Sequence, residues 1–157
     1  PSKFRQVVID DKILAKLQHY CAYQERCYSQ VKQKLQKLEV SKSEWSLYLN
    51  QLSQDNFITE ERFAMLYASG KHRLKSWGRL KIRRQLEALE VPLNLIVKAL
   101  NTLNEADYQL TIARLVEQLF DPNAESQTIE NHRVYKVLLR KGYEPDRIWK
   151  ELFRRAK

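Results

Sequence analysis

Between Lys71 and Arg84 the chain reads KHRLKSWGRLKIRR, with seven Lys or Arg side chains in fourteen residues and no carboxylate. Cations at this density are suited to neutralising phosphates and releasing the counterions condensed on a nucleic-acid backbone. The same run would also serve as a solvated helix face, a membrane contact or a dock for an acidic protein. At 100° per residue, pointing Ile82, Leu86 and Leu89 toward a core turns Lys81 and Arg84 outward and leaves Arg79 and Arg83 flanking the apolar stripe. Trp77 and Tyr28 stand just before helical stretches. An exposed aromatic beside cations can stack on an unpaired base, although an aromatic at a helix entrance equally serves packing.

Other chemistries fail on spacing. Ser69-Gly70-Lys71 has the form of a P-loop ending, but Met65 stands where the first glycine is required and His72 where Ser or Thr must follow. His19, Cys21 and Cys27 offer soft ligands at a spacing that fits no common zinc pattern, and His132 is remote in sequence. No G-x-S-x-G elbow or H-E-x-x-H pair occurs. The sequence therefore predicts no catalytic group, no metal and no cofactor.

The composition agrees with a polyanion partner. The 157 residues carry a net charge of +9 and are 43% hydrophobic, which suits a folded basic protein. No apolar run of membrane-spanning length occurs. The opening PSKFRQVVID has no apolar signal core, and two cysteines are too few for a disulfide framework. Reduced thiols and a cytoplasmic location are expected. Three glycines would not furnish the turns of a β-rich fold, so helix is predicted almost throughout.

The elements that position the basic run come from an internal repeat. Segments from Ser29, Leu80 and Asn131 align, with their matched apolar positions offset by 51 and 52 residues. Val31, Ile82 and Val134 coincide, then Leu35, Leu86 and Leu138, then Trp45, Ile96 and Ile148, then Leu49, Leu100 and Leu152. A further helical stretch precedes each, placing Leu14, Phe63 and Ile112 in register. Trp45 and Trp149 read as core. Ser41-Lys42-Ser43-Glu44 has capping-box spacing, Thr59 is a predicted N-cap, Pro92 and Pro145 suit first turns, and Gly142 suits a C-cap. Residues 120–128 read as a loop. The expected fold is all-α, with three tandem three-helix repeats stacked into an elongated, curved solenoid-like body. The units are residues 9–57, 58–104 and 105–157, preceded by an arm of residues 1–8 that carries Lys3 and Arg5.

The repeats, the FITEERFAMLYASGK segment with its Glu61-Arg62-Phe63-Ala64 core, and Gly78 followed by LKIRRQLEALEV resemble the RecX family of RecA modulators. Glu90-Val91 stands where many relatives have Gly-Ile. The resemblance implies a non-enzymatic protein that binds within or at the end of the RecA–DNA filament. There it would restrain recombinase, ATPase and coprotease activities in homologous recombination, DNA repair and the SOS response. DNA, single- or double-stranded, would be contacted weakly and without sequence preference, by a monomer with no membrane partner.

Charge segregation favours a working surface over a merely solvated face, since residues 101–130 hold six acids and one Arg. Lys81 has Arg133 as its counterpart in the third repeat, and Arg83 has Lys32 in the first, so equivalent positions could line one groove. The expected contact set is Lys32, Lys71, Arg73, Lys75, Arg79, Lys81, Arg83, Arg84, Arg133 and Arg140. Arg154, Arg155 and Lys157 close the C-terminal helix, complementing its dipole or adding to binding. An autonomous regulator that reads duplex DNA through Arg83 and Arg84 is the alternative.

Overall fold

A computed structural model describes residues 8–156; Lys3, Arg5 and most of the predicted arm, with Lys157, lie outside the described residues. Those described form nine α-helices and no strand. They are α1 Asp11–Tyr23, α2 Tyr28–Lys37, α3 Trp45–Gln54, α4 Glu60–Lys75, α5 Arg79–Ala88, α6 Leu93–Asn101, α7 Glu105–Leu119, α8 Gln127–Arg140 and α9 Pro145–Arg155, with a 3-10 turn at Lys42–Glu44. Packing is chiefly within triplets: α2 contacts α1 and α3, α4, α5 and α6 contact one another, and α9 contacts α7 and α8.

The repeat register is the register of the core. Val31, Ile82 and Val134 are fully buried, as are Leu35, Leu86 and Leu138. Ile96 and Ile148 are also fully buried, whereas Trp45 and Trp149 are only partly so. Trp45 turns its indole N–H to the Val40 carbonyl at 2.9 Å. Trp149 lies in an outer aromatic stack, with ring centroids 4.7 Å from Tyr135 and 5.6 Å from Phe153. The apolar interior is divided. Leu17, Cys21, Val31, Leu35, Tyr48, Leu52 and Ile58 form a core for the first triplet alone. The second and third triplets share one core that includes Phe63, Ile82, Ile96, Tyr108, Ile112, Leu138, Tyr143 and Ile148.

Helix ends explain why the breaks fall where they do. The second residue after each middle helix is left-handed in all three repeats: Glu39 (φ 61°), Glu90 (φ 61°) and Gly142 (φ 97°). Each turn closes with the same six-residue bond, from Val40, Val91 and Tyr143 N–H to the carbonyls of Leu35, Leu86 and Leu138. The second repeat thus keeps the glycine geometry without the glycine. A side chain in this region costs about 1–2 kcal/mol, partly offset by glycine's extra unfolded-state entropy. Glu90→Gly is therefore expected to stabilise the fold by roughly 0.5–1 kcal/mol, read as a raised denaturation midpoint with unchanged slope.

Three local expectations change. The Ser41–Glu44 segment forms a 3-10 turn rather than a capping box, with Ser41 Oγ turned to Ser43 Oγ at 3.0 Å. The capping box occurs instead at Cys27, whose N–H donates to Gln30 Oε1 at 3.1 Å. Thr59 is the N-cap residue, but through its carbonyl, which accepts from Phe63 N–H at 2.9 Å. Pro145 opens α9 and Pro92 caps α6. The loop before α8 ends earlier than predicted because Ser126 Oγ caps Ile129 N–H, so α8 starts at Gln127.

The triplets stack by one repeated contact. The entrance to the middle helix of one unit meets the left-handed turn of the next. At the first junction Ser29 Oγ donates to the Leu89 carbonyl at 2.7 Å, and the fully buried Cys27 packs into the shared core of the second and third triplets. At the second junction, the equivalent contact is made by backbone alone. Gly78 N–H donates to Lys141 O at 2.7 Å and Leu80 N–H to Gly142 O at 2.9 Å. Arg62 adds a polar clasp to the first junction, pairing with Glu25 at 2.7 Å.

Candidate nucleic-acid interface

The basic run spans the last turn of α4, the turn Ser76-Trp77-Gly78 and the exposed side of α5. Ser76 is left-handed (φ 56°), ending α4 sharply, and His72 Nδ1 lies 2.9 Å from Trp77 O. The turn brings Lys71 and Lys81 together over one ring: their Nζ atoms lie 5.1 and 4.5 Å from the Trp77 indole centroid. Trp77 is half-buried and packs against the core, which favours the packing role considered for it, with the two ammonium groups held beside it by cation–π attraction.

The predicted contact residues separate by what they touch. Arg73, Lys75, Arg84 and Arg140 are exposed, and with Lys71 and Lys81 they form no ion pair among the described residues. Arg83 pairs with Glu87 one turn on, at 2.9 Å. It lines a groove with Arg84, Leu80 and Leu139, and Arg140 follows Leu139 in the chain. Arg133 bonds the buried Glu130 carboxylate and the Leu119 carbonyl. Lys32 lies in a groove between the first and second units with Glu60 and Glu90.

Arg79 turns inward. Its side chain is 12% exposed, lies 4.0 Å from the Tyr108 ring centroid, and reaches Glu105 at 2.8 Å, Glu144 at 3.5 Å and the Leu103 carbonyl at 3.3 Å. Arg147 joins from α9, bonding Glu105 and pairing with Glu144 at 3.4 Å. Tyr108 donates to Glu144 and accepts from Arg79 N–H at 3.0 Å. Burial, then the bond to Glu144, pushes the Tyr108 hydroxyl far above its usual pKa, so it stays a donor. The bond from Arg147 holds the Glu105 carboxyl below the usual carboxylate range. Part of the segregated acid in residues 101–130 therefore neutralises arginines of the same chain.

Beneath the basic turn lies an aromatic stack that sequence spacing does not reveal. His72 stacks on Tyr108 at 5.2 Å, and Tyr108 meets Tyr143 at 5.5 Å. Tyr143 donates to the Ser76 carbonyl at 2.8 Å, tying the third unit to the turn that carries Trp77. The only early signal for these partners is that Tyr143 follows Gly142. Elsewhere, Cys21 and Cys27 are buried free thiols, and burial raises Cys21 to about 11. Among the described residues no His/Cys/Asp/Glu group is arranged to hold a metal, and no helix is long and apolar enough to cross a membrane.

Comparisons with known proteins agree with this architecture. The family model described as RecX, second three-helix domain, matches residues 60–100, which are α4 to α6. No curated protein matches by sequence. Among solved structures, RecX from Lactobacillus salivarius superposes with a TM-score of 0.84 at 21% identity, covering 92% of this chain and 94% of that one. A second structure, of regulatory protein RecX, gives 0.80 at 20% identity, covering 87% of this chain and 69% of that one. At such identities the likeness is one of fold. The family's second domain is thus matched in the central unit, and the fold of the RecX structures extends over nearly the whole chain.

Proposed function

We propose that this protein binds the RecA nucleoprotein filament and restrains its recombinase, ATPase and coprotease activities, without catalysis of its own. The observation that carries the reading is a RecX fold bearing an unneutralised basic surface around Lys71, Arg73, Lys75, Lys81 and Arg84. Arg83, although paired with Glu87, is nearly half exposed and belongs to the same surface, because a surface ion pair is worth little against a phosphate. Arg79 holds the fold together instead of meeting DNA, and Arg133, although nearly half exposed, is bound to the buried Glu130 carboxylate. A stack of three units with cations along its middle suits the groove of a helical filament, where phosphate contacts position a protein without reading sequence.

The test is the rate of ATP hydrolysis by RecA on single-stranded DNA, titrated with this protein. Suppression is expected at protein well below the RecA concentration. Arg73→Glu, Lys75→Glu and Arg84→Glu combined should raise the protein needed by about tenfold or more and flatten the salt dependence, since three phosphate contacts are lost. The three residues are exposed, so the variant should keep its helical circular dichroism. No effect of the wild type on RecA would overturn the reading. A single preferred duplex site, with mismatches costing about 1–3 kcal/mol each, would replace it with a sequence-reading regulator.

A further inference from the structure

The first unit has a surface that the basic run does not include. Where α1 ends and the chain turns into α2, a pocket of about 500 Å³ opens, lined by Lys16, His19, Tyr20, Tyr23, Arg26 and Lys34. Its size is that of a small-molecule site, and no carboxylate lines it. Arg26 lies flat against one ring, its Cζ 3.7 Å from the Tyr20 centroid, and is held there by Nε donating to the Tyr20 carbonyl at 3.1 Å. The Lys34 ammonium lies 5.4 Å from the same ring. Tyr23 is 78% exposed, and among the described residues no ring or cation packs on it. The neighbouring acid, Glu25, faces away to pair with Arg62 at 2.7 Å. Lys16, Arg26 and Lys34 form no ion pair among the described residues.

We propose that this pocket is a stacking site for a single-stranded nucleic acid, taking one base on Tyr23 and the Arg26 plane and its phosphates on Lys16 and Lys34. An open phenol ring and a guanidinium already stacked on a ring both present planes to a base, and aromatic–cation surfaces of this kind bind unpaired strands with little sequence preference. A duplex hides its base faces, and a bare phosphate would gain nothing from the apolar lining. The site extends the DNA-contacting part of the reading above to a second location, one unit away from the basic run, and rests on that part alone.

Fluorescence anisotropy of a labelled 15-nucleotide oligo(dT) at low salt, without RecA, tests it. Stacking of one base is worth about 1–3 kcal/mol, so Tyr23→Ala should weaken binding by about fivefold or more while Tyr23→Phe binds as the wild type does. An abasic 15-mer of equal charge should bind the wild type no better than oligo(dT) binds Tyr23→Ala. Tyr23 lies outside the core, so the variant is expected to keep its helical spectrum. If oligo(dT) binds and Tyr23→Ala is unchanged, or the abasic strand binds equally well, the stacking site is refuted while the basic surface stands. If oligo(dT) does not bind the wild type, both fall. If an acidic peptide instead displaces oligo(dT) only from the first unit's cations, with Tyr23→Ala silent, the pocket is a protein dock and the proposal is wrong.

Discussion

Gly78→Ala should cost the fold about 3 kcal/mol or more and lower its melting temperature by roughly 8 °C or more. Gly78 has an ordinary φ of −80°, so conformational freedom is not what the site requires. Space is. A Cβ there would lie 2.4 Å from Gly142 C and O and 2.5 Å from Tyr143 N, all backbone atoms that no rotamer change can clear. The junction would have to part, stretching the bonds from Gly78 N–H and Leu80 N–H and lifting Tyr143 from the shared core. Overpacking alone costs about 1–3 kcal/mol, and each net hydrogen bond adds about 0.5–1.5 kcal/mol. Gly142→Ala meets the same obstacle from the other side, 2.5 Å from Lys81 N, and adds the strain of φ 97°. By contrast Gly70, with nothing within 4 Å of its added Cβ, sits inside α4 and should accept alanine with a slight gain. Thermal unfolding of the three variants checks the contrast; equal melting temperatures would mean that the two units do not meet at their backbones.

Arg79→Ala should destabilise the protein by about 2–3 kcal/mol, whereas Arg84→Ala should change stability by less than about 0.5 kcal/mol. Both belong to the same basic run, yet the contacts differ. The pair with Glu105 contributes little, because that carboxylate is 66% exposed. The larger effects are the stacking on Tyr108, the bond to the Leu103 carbonyl, and the charge opposite the less exposed Glu144. Arg147 still faces Glu144, which keeps the loss below that of a fully orphaned buried charge. Acid weakens the same network with a definite sign. Glu105 is held below its ordinary pKa, so its stabilisation is fully present above the ordinary carboxylate value of about 4.3. It is lost as pH falls through the lower folded value. Urea titrations of the two variants at neutral pH, and of the wild type and Arg79→Ala below pH 4, measure both effects; an Arg79→Ala midpoint equal to wild type would place Arg79 back among the free cations.

Most of the fold was legible because packing repeats with the same period as the chain. Val31, Ile82 and Val134, and Leu35, Leu86 and Leu138, are in register in the sequence, and all are fully buried. Apolar spacing carries that information directly. Charge spacing does not. Helical phase placed Arg79 beside the apolar stripe, but only the third unit's Glu144 and Tyr108 decide that it turns inward. Likewise Lys81 and Arg133 occupy equivalent repeat positions and different surroundings. One lies over Trp77, while the other is bound to a buried glutamate that stands where the second repeat has Gly78 and the first has Cys27. The pocket around Tyr20 and Arg26 left no period to detect, because it forms where a helix end and a turn converge.

The unequal division of the interior bears on how the molecule opens. Two triplets share one core and are joined by backbone bonds, Gly78 to Lys141 and Leu80 to Gly142, while the first keeps its own core and is joined by a buried thiol, a serine hydroxyl, the Tyr28 N–H bond to Glu60 and one arginine clasp. In a stack of nearest-neighbour units, the weaker interface sets where cooperativity breaks. The first triplet is therefore expected to be a separate foldon, whose amides in native-state hydrogen exchange open at a free energy below that of global unfolding. Residues 60–155 should then persist as a folded remnant, because their two triplets share one core. If the proposed binding holds, such a molecule would lose its grip at one end without releasing at the other, and re-form it faster than it could bind anew.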